Sequence, residues 1–113
     1  GFSRAIRTGR RILVSGTTAT APSGQVVCPY DAEGQAVYVF DKILAAIISL
    51  GGKVEDVVRT RIYLRNALDW EAVSAVQVRY LGATRPANTL IAGVDLIGGY
   101  LVEIEVEAEL DAN

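Results

Sequence analysis

From Val102 to Leu110, apolar and acidic residues alternate without a break. This is the period-2 pattern of a strand with one buried and one polar face. Val102, Ile104, Val106, Ala108 and Leu110 point one way, and Glu103, Glu105, Glu107 and Glu109 the other. Four carboxylates in a row repel one another unless cations or water surround them. Any fold of this chain must therefore bury one side of the strand and place solvent, a partner subunit or a ligand against the other.

A counterpart lies upstream. Val58, Thr60, Ile62 and Leu64 alternate with Arg59, Arg61, Tyr63 and Arg65, so a second strand carries three arginines and a tyrosine on its polar face. Pairing the two strands, within or between subunits, relieves both sets of repulsions. Before them, Phe2–Arg7 and Arg11–Gly16 read as a hairpin turning at Thr8-Gly9-Arg10, and Gln25–Cys28 as a short extended piece stopped by Pro29. Asp31 is placed to cap a helix with Val37, Phe40, Leu44 and Ile47 at three-and-four spacing, ended by Gly51-Gly52. A second helix follows Asp69, with Val73, Val76 and Tyr80 as its inner stripe and Gly82 at its end. Trp70 reads as a packing anchor at its start. Arg85 is expected to be extended because Pro86 follows it. Thr89–Val94 and Tyr100–Leu110 complete the strands around a Gly98-Gly99 turn. The economical architecture is one α+β domain over residues 1–113, with both helices on one face of the sheet.

Composition narrows function. A chain of 113 residues with no histidine and one cysteine, Cys28, excludes a Ser-His-Asp triad, a conventional zinc site and an internal disulfide. A reducing, cytoplasmic setting is the default expectation. No apolar run reaches the ~20 residues of a membrane span, and no signal peptide is expected at the start. Methionine is absent, so the native start is expected to lie upstream of Gly1. A net charge of −2 argues against a dedicated nucleic-acid binder. Arg4, Arg7, Arg10 and Arg11 read as solvated hairpin-edge charges that discourage aggregation. The loops carry no cofactor motif.

Phe2-Ser3-Arg4-Ala5-Ile6, Ile12–Gly16, Gly51-Gly52 before Glu55–Val58, Asp69-Trp70, and Pro86-Ala87-Asn88-Thr89 followed by Leu101–Glu105 together resemble the Rid family of reactive intermediate deaminases. This family is also called YjgF and appears under endoribonuclease or translation-inhibitor names. The resemblance implies a chorismate-mutase-like (YjgF-like) fold, a mixed sheet with two helices on one face, and a homotrimer with small-metabolite clefts between subunits. Deaminase members hydrolyse 2-imino acids to 2-keto acids and ammonia. An arginine holds the substrate carboxylate, and a glutamate on the last strand positions or deprotonates water.

The resemblance assigns that glutamate to Glu103, the cleft loop to Ser15 and Gly16, and a neighbouring position to Ser3. The chain departs from the pattern elsewhere. Asn88 stands at the arginine, Phe2 at a tyrosine and Ser74 at an asparagine. Asparagine carries no charge, so the resemblance places the chain in a branch lacking the carboxylate-binding arginine. Arg61, where the family has a small polar residue, is a candidate substitute anion binder that could instead neutralise Glu103 or Glu105. Arg85 reads as a surface arginine pointing away from Asn88. The function expected is binding of a small imine- or enamine-type metabolite, with Glu103 as the catalytic carboxylate. The alternatives are an active 2-iminobutanoate/2-iminopropanoate deaminase using Arg61, or a non-catalytic or ribonuclease-like protein.

Overall fold

The computed structural model describes residues 1–111. In chain order its elements are β1 (Ala5–Thr8), β2 (Arg11–Thr17), α1 (Ala32–Ser49), β3 (Val57–Leu64), α2 (Trp70–Leu81), β4 (Ala87–Ala92) and β5 (Val102–Glu109). Short 3₁₀ turns, Val54–Asp56 and Ala67–Asp69, precede β3 and α2. The five strands form one sheet in the order β1-β2-β5-β3-β4, antiparallel throughout except for β3 with β4. The expected α+β arrangement is present, and the alternating strand that constrains the sequence most lies at the centre of the sheet.

The apolar side of β5 enters the core. Val102, Ile104, Val106 and Ala108 are buried together with Ile12 and Val14 of β2, Ile62 and Leu64 of β3, and the helices above them. On α1 the buried stripe is Ala32, Ala36, Val39, Phe40, Ile43 and Ile47, while Val37 and Leu44 are only partly covered. The stripe is thus rotated from the one read in the sequence, because small alanines as well as large residues face the sheet. Phe40 stacks on Tyr80 of α2, with ring centroids 5.3 Å apart. Gln35 is fully buried and satisfied at both ends: its Nε2 donates to Cys28 O at 3.1 Å, and its Oε1 accepts from Leu101 N at 2.9 Å.

Helix α1 ends as the glycine pair predicts. Gly51 N donates to Ile48 O at 3.0 Å and Gly52 N to Ile47 O at 2.9 Å, with Gly51 at φ +94, which is the Schellman arrangement. Arg7 Nη1 adds a bond to Leu50 O at 2.8 Å. Asp31 and Asp69 hold the two N-cap positions without making side-chain cap bonds. Asn66 caps instead, its Oδ1 accepting from Leu68 N at 3.0 Å, so the chain enters α2 through a 3₁₀ turn.

Four local expectations are corrected. Gln25–Cys28 contributes only an isolated bridge between Thr20 and Val26. Val58 is 46% exposed, whereas Val57 is buried. A bulge sets Val57 opposite Ala108 and Arg59 opposite Glu107, and the extra residue reverses side-chain parity. Trp70 is 52% exposed and anchors nothing in the core. Arg85 has φ +52 instead of extended geometry. It is bonded through its N–H to Leu81 O at 3.0 Å, and a non-glycine residue in such a backbone stores about 1–3 kcal/mol of strain.

The polar side of the sheet is an ion-paired ladder. Glu107 receives Arg11 at 2.5 Å, Arg61 at 3.1 Å and Arg59 at 3.8 Å, so guanidiniums from both neighbouring strands converge on one carboxylate. Tyr63 Oη donates to Glu105 Oε1 at 2.6 Å. Arg65 leaves the ladder and binds the loop before β5, donating to Tyr100 O at 2.8 Å, to Asp95 at 3.1 Å and to Leu96 O.

Replacing Gly51 by alanine forces a side chain into the left-handed region and against Arg7 Nη1. Gly51→Ala is expected to cost about 1–2 kcal/mol, read as a lower urea midpoint at unchanged slope. The Tyr63 phenol is held above its ordinary value, first by the hydrogen bond to Glu105 and then by burial. A raised phenol pKa favours the protonated, folded form, so this contribution is complete below about pH 10 and disappears as pH rises through the shifted value. In ring-labelled tyrosine NMR, Glu105→Gln should lower the Tyr63 midpoint. Tyr80, raised by burial and then by Asp41, should keep its own.

Candidate functional site

The bulge in β2 builds the first half of the site. Val14 pairs with Val106 and Thr17 with Ile104, so β2 carries one residue more than β5 across this interval. Ser15 and Gly16 occupy the irregularity. The carboxylate of Glu103 lies where a side chain at Gly16 would begin: a Cβ there would overlap Glu103 Oε2. Glycine at this position lets the carboxylate approach the β2 backbone. The N-terminal segment is tied to the same bulge. Ser15 Oγ donates to Ser3 O at 2.7 Å, Ser15 N to Arg4 O at 3.0 Å, and Arg4 Nη1 to Thr17 Oγ1 at 2.8 Å.

Beside this cluster is a cavity of about 500 Å³ on the polar face of the sheet. Phe2, Ser3, Ile6 and Leu13 line one side, and Ser15, Arg61, Glu105 and Glu107 another. Phe2 is 81% exposed, giving the cavity an apolar lip. Of the residues singled out in the sequence, Phe2, Ser3, Ser15 and Arg61 line it, and Gly16, with Glu103 against it, follows Ser15 in the chain.

Arg61 neutralises the ladder rather than Glu103. Its Nη1 donates to Glu107 at 3.1 Å and lies 3.9 Å from Glu105. No lysine or arginine among the described residues lies within 4.0 Å of the Glu103 carboxylate. Glu103 sits opposite Tyr63 in register, and Tyr63 spends its hydroxyl on Glu105. A half-buried carboxylate without a cationic partner retains lone pairs for a water molecule or a substrate N–H.

Asn88 and Ser74 lie elsewhere. Asn88 pairs in register with Thr60, which is 0% exposed and belongs to the helix-facing side of β3 together with Ile62 and Leu64. Thr60 Oγ1 donates to Asn88 Oδ1 at 2.7 Å. Ser74 is on α2, in the helix layer. One chain therefore divides the predicted residues between the two faces of its sheet and does not bring Asn88 to Glu103.

Some participants were not legible in the sequence as site residues. Arg4 reads there as an edge charge, yet it clamps the bulge, while Arg7 caps α1 and Arg11 joins Glu107. That Arg11 meets Glu107 depends on β5 inserting beside β2, which periodicity does not specify. Lys42 is a further case. Its ammonium donates to Thr18 O and Thr20 O, each at 3.1 Å, and its pKa is lowered by burial and then by Arg4. Among the described residues, no group of three or more histidines, cysteines or carboxylates could hold a metal ion, and no helix is long and apolar enough to cross a membrane.

Residues 1–110 match the family model described as Endoribonuclease L-PSP. An uncharacterised protein of Streptomyces coelicolor is 34% identical over 113 residues, an alignment covering 96% of this chain and 81% of that protein. A Dermatophagoides farinae protein named 2-iminobutanoate/2-iminopropanoate deaminase is 25% identical over 104 residues, covering 92% of this chain and 81% of its own. The solved structure of a Mycobacterium tuberculosis member of the YjgF/YER057c/UK114 family superposes with a TM-score of 0.83 at 32% identity, covering 96% of this chain and 86% of that one. A family model spanning nearly the whole sequence and a shared fold at this identity lead to one conclusion: the chain belongs to the Rid/YjgF family, the endoribonuclease L-PSP family.

Proposed function

We propose that this protein is a homotrimeric Rid/YjgF-type protein that binds a small imine or enamine in a cleft between subunits, with Glu103 as the carboxylate that positions and deprotonates water. The observation that carries this reading is the Glu103 carboxylate, seated against Gly16 and unpaired by any described lysine or arginine, beside a cavity with an apolar lip. The division of the other residues supports the inter-subunit location. Asn88 and Ser74 lie across the sheet from Glu103, so a small molecule touching both sets must sit between two copies.

The chemistry needs no cofactor. Water adds to the imine carbon as Glu103 takes one of its protons and passes it to the nitrogen. The resulting carbinolamine then expels ammonia and leaves the ketone. What the cleft lacks is a cation at position 88. Arg61 does not supply the missing charge, because Glu107 and Glu105 already hold it. A charge-assisted carboxylate contact is worth about 2–5 kcal/mol in a desolvated site, so substrates anchored through a carboxylate at position 88 should be turned over poorly.

With 2-iminopropanoate generated in the cuvette by an amino-acid oxidase, the natural protein should be at least about tenfold slower than Asn88→Arg. Adding Glu103→Gln should abolish the gain. Fast hydrolysis by the natural protein that Arg61→Gln removes would instead make Arg61 the anchor, and absence of hydrolysis in every variant would leave a non-catalytic role. In the Asn88→Arg background, Gly16→Ala should displace the Glu103 carboxylate. It should lower kcat by about 10²-fold while leaving the far-UV spectrum unchanged.

A further inference from the structure

β2 ends at Thr17, whose partner in the ladder is Ile104. Continued by one residue, that antiparallel register would set Thr18 opposite Glu103. The ladder stops short of this pair, while β5 runs on beside β3 alone, with Glu103 opposite Tyr63 and Val102 opposite Leu64. The Thr18 carbonyl is taken up on the other side. It accepts from Thr20 N at 2.8 Å and from Lys42 Nζ at 3.1 Å. A carbonyl oxygen has two lone pairs, so none is left for a bond to β5. Lys42 Nζ also donates to Thr20 O at 3.1 Å and lies 5.6 Å from the centre of the Tyr38 ring.

Beyond Glu103 the two chain segments meet again. Thr20 Oγ1 touches the Tyr100 hydroxyl, and Thr18 Oγ1 lies 2.9 Å from Thr20 Oγ1. Tyr100 is fixed in turn. Its carbonyl accepts from Arg65 Nε at 2.8 Å, and its ring lies against Gly98, where an added Cβ would come within 2.9 Å of it. The parting of β2 from β5 is therefore bounded by the Thr17–Ile104 pair at one end and the Thr20–Tyr100 hydroxyls at the other, and Glu103 belongs to the stretch of β5 between them. We propose that Lys42 and Tyr100 are positioning residues for Glu103: they hold the chain after β2 away from β5, so that the Glu103 carboxylate rests on Gly16 instead of facing Thr18 across a closed ladder. Neither side chain lines the cavity, and neither touches substrate. The proposal rests on Glu103 as the working carboxylate, but its first readout does not involve catalysis.

That readout is the NMR cross-peak between Gly16 Hα and Glu103 Hγ, which reports the seat directly. Lys42→Met removes the donor, and Tyr100→Phe removes one oxygen. Each should abolish the cross-peak, whereas Lys42→Arg, which keeps a cationic donor, should retain it. In the Asn88→Arg background the same two changes should lower kcat for 2-iminopropanoate by about 10–100-fold with KM nearly unchanged, because misplacing a reacting group by about 1 Å costs on the order of 10²-fold. Lys42→Arg should restore most of the rate. Should Lys42→Met fail to fold, Tyr100→Phe carries both readouts. The proposal is overturned if the cross-peak survives in Lys42→Met and Tyr100→Phe, or if it is lost while kcat stands. It is also overturned if kcat falls only in step with melting temperature, Lys42→Arg included. Loss of the cross-peak with no hydrolysis by any variant, Asn88→Arg itself included, would sink the catalytic reading of Glu103 and leave its positioning by Lys42 and Tyr100 intact.

Discussion

Charge neutralisation around Glu107 is the condition on which the rest of the sheet depends. β5 brings its glutamates into the middle of the sheet, and the adjacent strands bring arginines: Arg11 from β2, and Arg59 and Arg61 from β3. Without those guanidiniums the central strand would set carboxylates side by side. With them the strand can be central, and its apolar face closes the core under both helices. The same arrangement distributes chemistry along β5. Glu107 and Glu105 are consumed by arginines and a tyrosine, whereas Glu103, at the end nearest the β2 bulge, keeps its lone pairs for something else.

The pattern of one extra residue recurs with different effects. In β3 the bulge turns Val58 outward and brings Arg59 into line with Glu107. In β2 it places Gly16 so that Glu103 can lie against the backbone. Neither change alters the strand order, but each decides which side chain faces which partner. Bulges commonly re-aim side chains in this way. Here one completes the ionic ladder and the other shapes the catalytic candidate's seat.

The sequence made the helices, all five strands and the identity of both faces of β5 readable, because these follow from periodicity and glycine punctuation. Glu103, Ser15 and Gly16 as neighbours were readable only through family likeness, since they are far apart in the chain. Three kinds of feature were not readable. Val58 breaks parity because a bulge depends on the partner strand. Asn66 rather than Asp69 caps the approach to α2 because a 3₁₀ turn intervenes. Arg85 takes positive φ before Pro86 because the turn leaving α2 holds its N–H on Leu81 O, which overrides the preference that proline imposes. Strand parity therefore gives no rule for where Arg85 points.

The strand order carries a consequence for synthesis. β5 follows all four other strands in the sequence, yet it is the one that joins β1-β2 to β3-β4. Emerging from the ribosome, the chain can form the β1–β2 hairpin and, by way of α2, the parallel β3–β4 pair, but these halves share no ladder until β5 threads between them. Before then two apolar strand edges stand open, the condition under which nascent chains misassociate. Folding of the sheet is thus a late and single event, completed by the residues whose charges also have to be neutralised on arrival.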